Sequence, residues 1–268
     1  MTRVACNLCG ANDSRSLFCA EGRSLVRCRH CGLVYVNPWI DEHSYQGDEQ
    51  AALFEAYRAR REEFVRIFRD LLGRVEAQKR SGRLLDVGCG AGQLIEVARE
   101  RGWDATGIEP SQAAARYATS EVGLDVICGY LTEESFPAKS FDAITINHSL
   151  EHMPDPLTTL RIARAFLKDD GRLVVGVPNF GSLMSRLMRS RWISLCPRQH
   201  RWQFAPRTLS SMLCKAGFEI TGRSFQNHRY RGWKGQLAAP VCWISRRLNT
   251  CEAMLFIAAK ASEESPGP

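Results

Sequence analysis

The sequence predicts an α/β fold, a parallel sheet with helices on both faces, preceded by a small cysteine-bearing module. Three observations carry this prediction. Strand and helix patterns alternate from residue 83 onward, a glycine-rich turn joins the first of those strands to its helix, and two Cys-x-x-Cys pairs fall within the first 31 residues. Alternation of this kind specifies a parallel sheet, because each crossover helix has to cover one of its faces.

Residues 1–40 are rich in Cys, Arg and turn formers and form the first unit. Cys6-x-x-Cys9 and Cys28-x-x-Cys31 are separated by 18 residues, and Gly10 and Gly32 follow directly after the pairs. That is the spacing of a four-thiolate structural zinc site. Four thiolates complete a tetrahedral shell, so the expected zinc is structural, and its binding supplies folding energy to a module too short for a core. His30 lies inside the second pair, but the fourth cysteine already fills the shell. The other seven cysteines have no ligand spacing and are expected as small core residues. A run of about 18 apolar residues is absent, as is an apolar leader region in Met1–Cys9. With cysteines expected to be reduced thiols, the expectation is a cytoplasmic protein.

Residues 41–80 are expected as a helical linker and N-terminal helix. Leu53, Phe54, Tyr57, Phe64, Ile67, Phe68, Leu71 and Leu72 recur near period 3.6 within Gln50–Glu76. The main domain, 81–261, has expected strands at Arg83–Val87, Asp104–Ile108, Asp125–Cys128, Phe141–Ile146 and Arg172–Val177. Helical stretches follow at Gln93–Arg101, Gln112–Ser120 and Leu157–Phe166. The rhythm breaks at a basic, aromatic insertion, 179–204. Within Phe180–Arg201, five arginines are interspersed with Leu183, Met184, Leu187, Met188 and Trp192, which reads as a basic amphipathic helix. A helix at Pro206–Ala216 and strands at Phe218–Ser224 and Ala253–Ala259 then complete seven strands with one reversed edge strand. The tail, 262–268, is expected to be disordered.

The most informative stretch is Leu84-Leu85-Asp86-Val87-Gly88-Cys89-Gly90-Ala91-Gly92. Glycines permit positive-φ geometry and let a ligand press against bare backbone, and the following helix offers unpaired N–H groups. A dinucleotide fingerprint needs its third glycine at 93, where Gln93 stands. Glu109 ends the second strand, 23 residues after Asp86, and an ionised carboxylate there suits a ribose diol. That acid alone would fit NAD equally. Glycine spacing and strand order together favour S-adenosylmethionine.

This turn resembles motif I of the class I S-adenosylmethionine-dependent methyltransferases. Nearly the whole chain resembles a bacterial group of zinc-ribbon class I enzymes that modify sugars, polyketide-type metabolites or cell-surface glycans. The resemblance rests on Cys6-Asn7-Leu8-Cys9-Gly10, Leu25 through Tyr35, Asn37-Pro38, the glycine turn, Gly107-Ile108-Glu109-Pro110, Ser149 through Pro156, and His200 through Leu209. It implies a Rossmann-like seven-stranded sheet behind a zinc ribbon. It further implies that Asp86, Gly88, Cys89, Gly90 and Gly92 line the methionine and ribose, while Glu109 holds the ribose hydroxyls with Pro110 and Ser111 beside it. Tyr130 and Leu131, after Gly129, would contact adenine, and Asn147 would complete the set. Tyr130 stands where many class I enzymes carry an acid for the adenine amino group, which leaves that contact to backbone groups or Glu133.

A hydroxyl acceptor needs a base, and histidine titrates near the working pH. His148 follows the fourth strand at the carboxyl edge of the sheet, where ligands bind in such folds. His152 and His200 are the other candidates. His152 also suits loop packing, and His200, beside Arg198, Arg201 and Trp202, suits substrate contact. Related ubiquinone-pathway O-methyltransferases link a similar Glu-His pair to a divalent ion, a role open to Glu151 and His152.

The net charge of +7 is unevenly spread: Gly171–Cys251 holds 14 Lys/Arg against Glu219 alone. Such a half favours an anionic partner. The expected one is a phosphate-bearing small molecule or glycan precursor, with at most peripheral membrane contact through this segment and Leu237–Leu248. A ribosomal-RNA base methyltransferase is the main alternative, but Asn147-His148-Ser149-Leu150 stands where a flipped-base motif would follow the fourth strand. A zinc adaptor with a degenerate cofactor fold is the non-enzymatic alternative, opposed by the intact turn and Glu109. Acceptor atom and oligomeric state are not encoded legibly.

Overall fold

The computed structural model describes residues 3–40, 59–227 and 232–262. Two sheets organise them. The larger has seven strands: β4 (Arg83–Val87), β5 (Asp104–Glu109), β6 (Val126–Cys128), β7 (Phe141–Asn147), β8 (Leu167–Pro178), β10 (Phe218–Gln226) and β11 (Ala253–Lys260). Their spatial order is β10-β11-β8-β7-β4-β5-β6, and β11 runs antiparallel to both its neighbours while the other pairings are parallel.

The expected reversed strand exists, but it is not at the edge. β11 is a run of apolar residues with Met254, Phe256 and Ala258 buried, and such a strand needs partners on both sides. β10 alternates buried Phe218 with exposed Glu219 and Arg223, which is the pattern of a half-solvated edge. β8 begins at Leu167 rather than Arg172, its first residue pairing with Phe141 before a register shift.

Helices α1 (Arg61–Glu76), α2 (Gln93–Glu100), α3 (Gln112–Arg116, continuing as a π turn), α4 (Pro156–Phe166) and α6 (Pro206–Lys215) cover the sheet. Leu71, Leu72 and Val75 of α1 share a core with Leu94 and Ile95 of α2, and Arg69 reaches Glu100 at 3.1 Å. The residues expected as linker therefore end in a helix packed against the domain. Residues 50–58 of the expected helix, and the tail beyond 262, lie outside the described residues.

The smaller sheet is β1-β2-β3-β9, from β1 (Ser14–Ala20), β2 (Arg23–Cys28), β3 (Val34–Val36) and β9 (Trp202–Gln203). The first three strands belong to the cysteine module and the last to the insertion. Cys6, Leu8, Leu33 and Tyr35 join Leu157, Leu160, Trp202, Leu209 and Met212 in one apolar cluster. Asn7 then clamps the N-terminus of α4, donating to Asp155 at 2.8 Å and accepting from the Leu157 N–H at 3.0 Å.

The insertion is not one amphipathic helix. It forms α5 (Leu183–Met188), stops at Arg189 with φ of 50°, and continues as a short 3₁₀ turn and irregular chain. A positive φ at a non-glycine residue ends the helical path, and Trp192 and Leu195 turn inward instead to meet α7 (Gly232–Arg247) in a third cluster. Nor are the seven remaining cysteines uniformly core residues: Cys89 and Cys251 are buried, whereas Cys19, Cys128 and Cys214 are exposed. Cys128 closes the short edge strand β6 and Cys214 lies on the outer face of α6, where size and polarity decide little.

Candidate active site and cysteine centre

The glycine turn leaves β4 with Gly88 at φ of 74° and Gly90 at 55°. A Cβ at Gly88 would lie 2.6 Å from Ser149 Cβ, whereas one at Gly90 would meet nothing within 4 Å. The turn is thus packed on its inner side and bare on its outer side, which is the shape of a cradle for a ligand pressed against backbone. Cys89 does not face that cradle. Its sulfur packs behind the turn beside Gly107, where a Cβ would approach it to 2.6 Å.

Two buried acids flank the turn. Glu109 accepts from the Gly90 N–H and from the Ser111 N–H, each at 2.8 Å. Each of its oxygens thus retains capacity for a further donor such as a ribose hydroxyl. Burial pushes the Glu109 carboxyl up, opposed by those two N–H donors. Asp86 accepts from Thr145 Oγ1 at 2.6 Å. Burial raises its pKa to about 7, with the Thr145 bond opposing and the Glu109 charge adding to the rise. A cation placed over Asp86 would restore its charge, and a sulfonium or ammonium group has that character. The turn after β6 comes alongside, since Gly129 N–H donates to Glu109 O at 3.0 Å. Tyr130 there is 63% exposed, so its ring is available to a ligand, while Leu131 packs against the core. Pro110 is half-buried between Glu109 and Ser111.

The loop after β7 is tied to this cradle. Ser149 Oγ donates to Val87 O at 2.7 Å and His148 N–H donates to Gly176 O at 2.7 Å. His148 has φ of 52° and its side chain is 43% exposed, so the chain turns it out of the sheet at the carboxyl edge. Asn147 stays below it, half-buried, its amide oxygen close over Gly176.

Glu151 anchors the loop from beneath. It is 1% exposed, its Oε1 lies 3.5 Å from His148 Nδ1 and 4.0 Å from His152 Nε2. Burial opposes its charge, but His148, His152 and His200 hold the carboxyl down at about 2. His152 Nδ1 sits 3.1 Å from Gln199 O, and His200 Nδ1 sits 2.9 Å from Ser194 O. Their rings meet edge to face at 4.7 Å. His200 is buried rather than open to substrate, and burial lowers its pKa to about 4. Trp202 is also interior, its indole N–H donating to Met153 O at 2.8 Å. Sequence spacing had no means of joining His200 to Glu151 and His152; the insertion folds back to do it. The three offer ligand atoms within 4.8 Å of one another, with each imidazole already oriented through Nδ1, as metal-ligating histidines commonly are.

The four module cysteines do converge. Cys6 Sγ lies 3.3 Å from Cys31 Sγ and Cys9 Sγ lies 3.5 Å from Cys28 Sγ, and all four sulfurs fall within 4.8 Å of one another. A tetrahedral zinc with Zn–S of about 2.3 Å needs sulfurs roughly 3.8 Å apart, so the donor set fits. Both knuckles use the same backbone pattern, with Gly10 N–H on Cys6 O and Gly32 N–H on Cys28 O.

A methyltransferase-domain family model matches residues 57–222. The chain belongs to that family. Its main sheet is the class I S-adenosylmethionine-dependent methyltransferase sheet. A methyltransferase from Archaeoglobus fulgidus covers 80% of this chain and 100% of its own, with TM-score 0.59 and 21% identity. The 1,6-didemethyltoxoflavin-N1-methyltransferase of Burkholderia thailandensis, solved with S-adenosylhomocysteine, covers 92% of this chain and 100% of its own at TM-score 0.51 and 17% identity. In sequence, a ubiquinone biosynthesis O-methyltransferase of Actinobacillus pleuropneumoniae is 33% identical over 136 residues, 47% of this chain and 55% of that protein. The chain therefore spans about half the length of the curated relatives it matches.

Proposed function

We propose that this protein transfers a methyl group from S-adenosylmethionine to a hydroxyl oxygen of a phosphate-bearing small molecule or a glycan or lipid-linked precursor. The observation that carries this reading is the position of His148. It projects at the carboxyl edge of β7, one residue from the Ser149 bond to the glycine turn, with the buried Glu151 carboxylate behind it. Similarity to ubiquinone biosynthesis O-methyltransferases supports oxygen as the acceptor atom.

When bound, S-adenosylmethionine supplies a methyl group already activated on sulfur. The protein's task is alignment and proton removal. Asp86 and the bare backbone at Gly90 receive the methionine end, with Gly88 and Gly92 shaping the turn against Ser149 and Leu124; Glu109 receives the ribose, and the Gly129–Leu131 turn with Tyr130 the adenine. His148 takes the acceptor proton, and Glu151 orients the imidazole and offsets the charge it gains. Glu151, His152 and His200 form a divalent-ion set beside it, and Cys6, Cys9, Cys28 and Cys31 hold a structural zinc.

The test is calorimetric titration with S-adenosylmethionine followed by transfer of a labelled methyl group to a panel of hydroxylated acceptors with and without phosphate. Binding lost on Glu109→Ala, and transfer to oxygen lost on His148→Ala, are the expected results. Binding without transfer to any hydroxyl, but with transfer to an RNA base, would overturn the acceptor assignment.

A further inference from the structure

On the seam between the cysteine module and the insertion, Arg15 of β1 stands directly opposite Arg27 of β2 in the sheet register. Like charges paired across two strands destabilise the sheet. Arg186 of α5 adds a third cation from the insertion, bordering the same cleft as Arg27. Arg27 Nε is buried and has no hydrogen-bond partner. Among the described residues, no carboxylate lies within 4.0 Å of Arg15, Arg27, Arg186, Arg189 or Arg207, whereas nearby Arg29 is paired with Asp13 at 3.2 Å.

Two clefts open on these groups and share Arg27 and Gly32. One, of about 390 Å³, is bordered by Arg15, Arg29, His30 and Arg207. The other, of about 360 Å³, is bordered by Arg186 and Arg189 together with Leu17, Phe18 and Phe180. Arg15, Arg186, Arg189 and Arg207 are exposed, as on any solvated basic face, but Arg27 Nε is not. Here three chain segments converge on a concavity and leave a buried guanidinium nitrogen unpaired, and burying such a donor costs free energy unless an acceptor reaches it.

We propose that the second cleft binds a diphosphate ester, its phosphates held by Arg27, Arg186 and Arg189 and its organic part lying against Phe18 and Phe180. Guanidinium forks match phosphate oxygens bidentately, and the apolar wall gives the site a direction. Phe180 and Gly181 follow Pro178 at the end of β8, on the sheet edge that also carries His148. The cleft therefore serves as an anchor for the acceptor, and this role rests on the phosphate-bearing acceptor proposed above.

The test uses the full, zinc-loaded chain and three probes, inorganic pyrophosphate, uridine diphosphate and farnesyl diphosphate, titrated by calorimetry beside S-adenosylmethionine. Binding of at least one diphosphate is expected, weakened tenfold or more by Arg186→Gln with Arg189→Gln and by Arg27→Gln, with S-adenosylmethionine affinity unchanged. The α5 pair is exposed, so its variant keeps the fold even if Arg27→Gln does not. Tighter binding of the nucleotide or of the prenyl compound assigns the source of the diphosphate. Absence of binding by all three, or binding indifferent to every variant, would overturn the proposal even if methyl transfer is found. Diphosphate binding without transfer to any phosphate-bearing acceptor would support the cleft while refuting the acceptor reading.

Discussion

Ser149 Oγ donates to the carbonyl of Val87 at 2.7 Å, so the loop carrying His148 and the turn carrying Gly88 are one rigid corner. The same closeness leaves no room for a side chain on the turn, because a Gly88 Cβ would fall 2.6 Å from Ser149 Cβ. Gly88→Ala should therefore cost about 1–3 kcal/mol from its positive φ alone, with the clash added. The expected result in thermal denaturation is a lowered Tm and loss of the rise that S-adenosylmethionine gives the unmodified protein. An unchanged Tm would mean the corner is loose.

Asp86 links the stability of the ligand-free protein to pH. Its folded pKa of about 7 lies above the ordinary 3.8 because of burial. Between those values the folded, ligand-free protein binds more protons than the unfolded chain, so stability falls as pH rises through this window and levels off above about 7. Asp86→Asn removes that dependence. Urea unfolding of the ligand-free proteins should show that, from pH 5 to pH 8, the unmodified chain loses up to about 3 kcal/mol that the variant keeps. Its affinity for S-adenosylmethionine should fall tenfold or more.

Antiparallel β3–β9 pairing ties the cysteine module to the insertion. Tyr35 and Trp202 pack with ring centroids 5.5 Å apart, tilted by 37°, across that seam, and Val36 N–H donates to Arg201 O at 3.0 Å. Removing zinc with a chelator, or substituting Cys9→Ser, should lower Tm by several degrees and shift tryptophan fluorescence to the red as Trp202 gains water. Identical spectra with zinc stripped would show that the module holds its shape without metal.

On the proposed mechanism, Glu151 acts through His148 rather than on substrate. Glu151→Gln keeps the shape but removes the charge, and should lower kcat by about 10²-fold while S-adenosylmethionine affinity stays within threefold. His148→Ala should lower kcat at least as far, and the double variant should add little to it. Additive losses in that double-mutant cycle would separate the two residues.

The strand–turn–helix at Asp86–Gly92 was legible in the sequence because it is local: an apolar run, closely spaced glycines and an amphipathic stretch follow in order. Glu109 was legible for the same reason, as the last residue of an apolar strand. Cys6, Cys9, Cys28 and Cys31 were legible because chelate spacing is short-range. Thr145 was missed, since nothing in a buried strand shows which hydroxyl points at an acid on the neighbouring strand.

What the sequence determined by itself is thus the set of short-range units: a cysteine knuckle pair, an α/β alternation and a glycine cradle with its two acids. Tertiary structure alone decided that β11 lies inside the sheet, that the insertion folds into β9 and buries His200 beside Glu151, and that Arg27 and Arg186 border one cleft. The physical reason is sequence separation. Local backbone preferences act within a few residues, whereas Glu151 and His200, or Arg27 and Arg186, meet only when the burial of a shared apolar cluster brings their segments together.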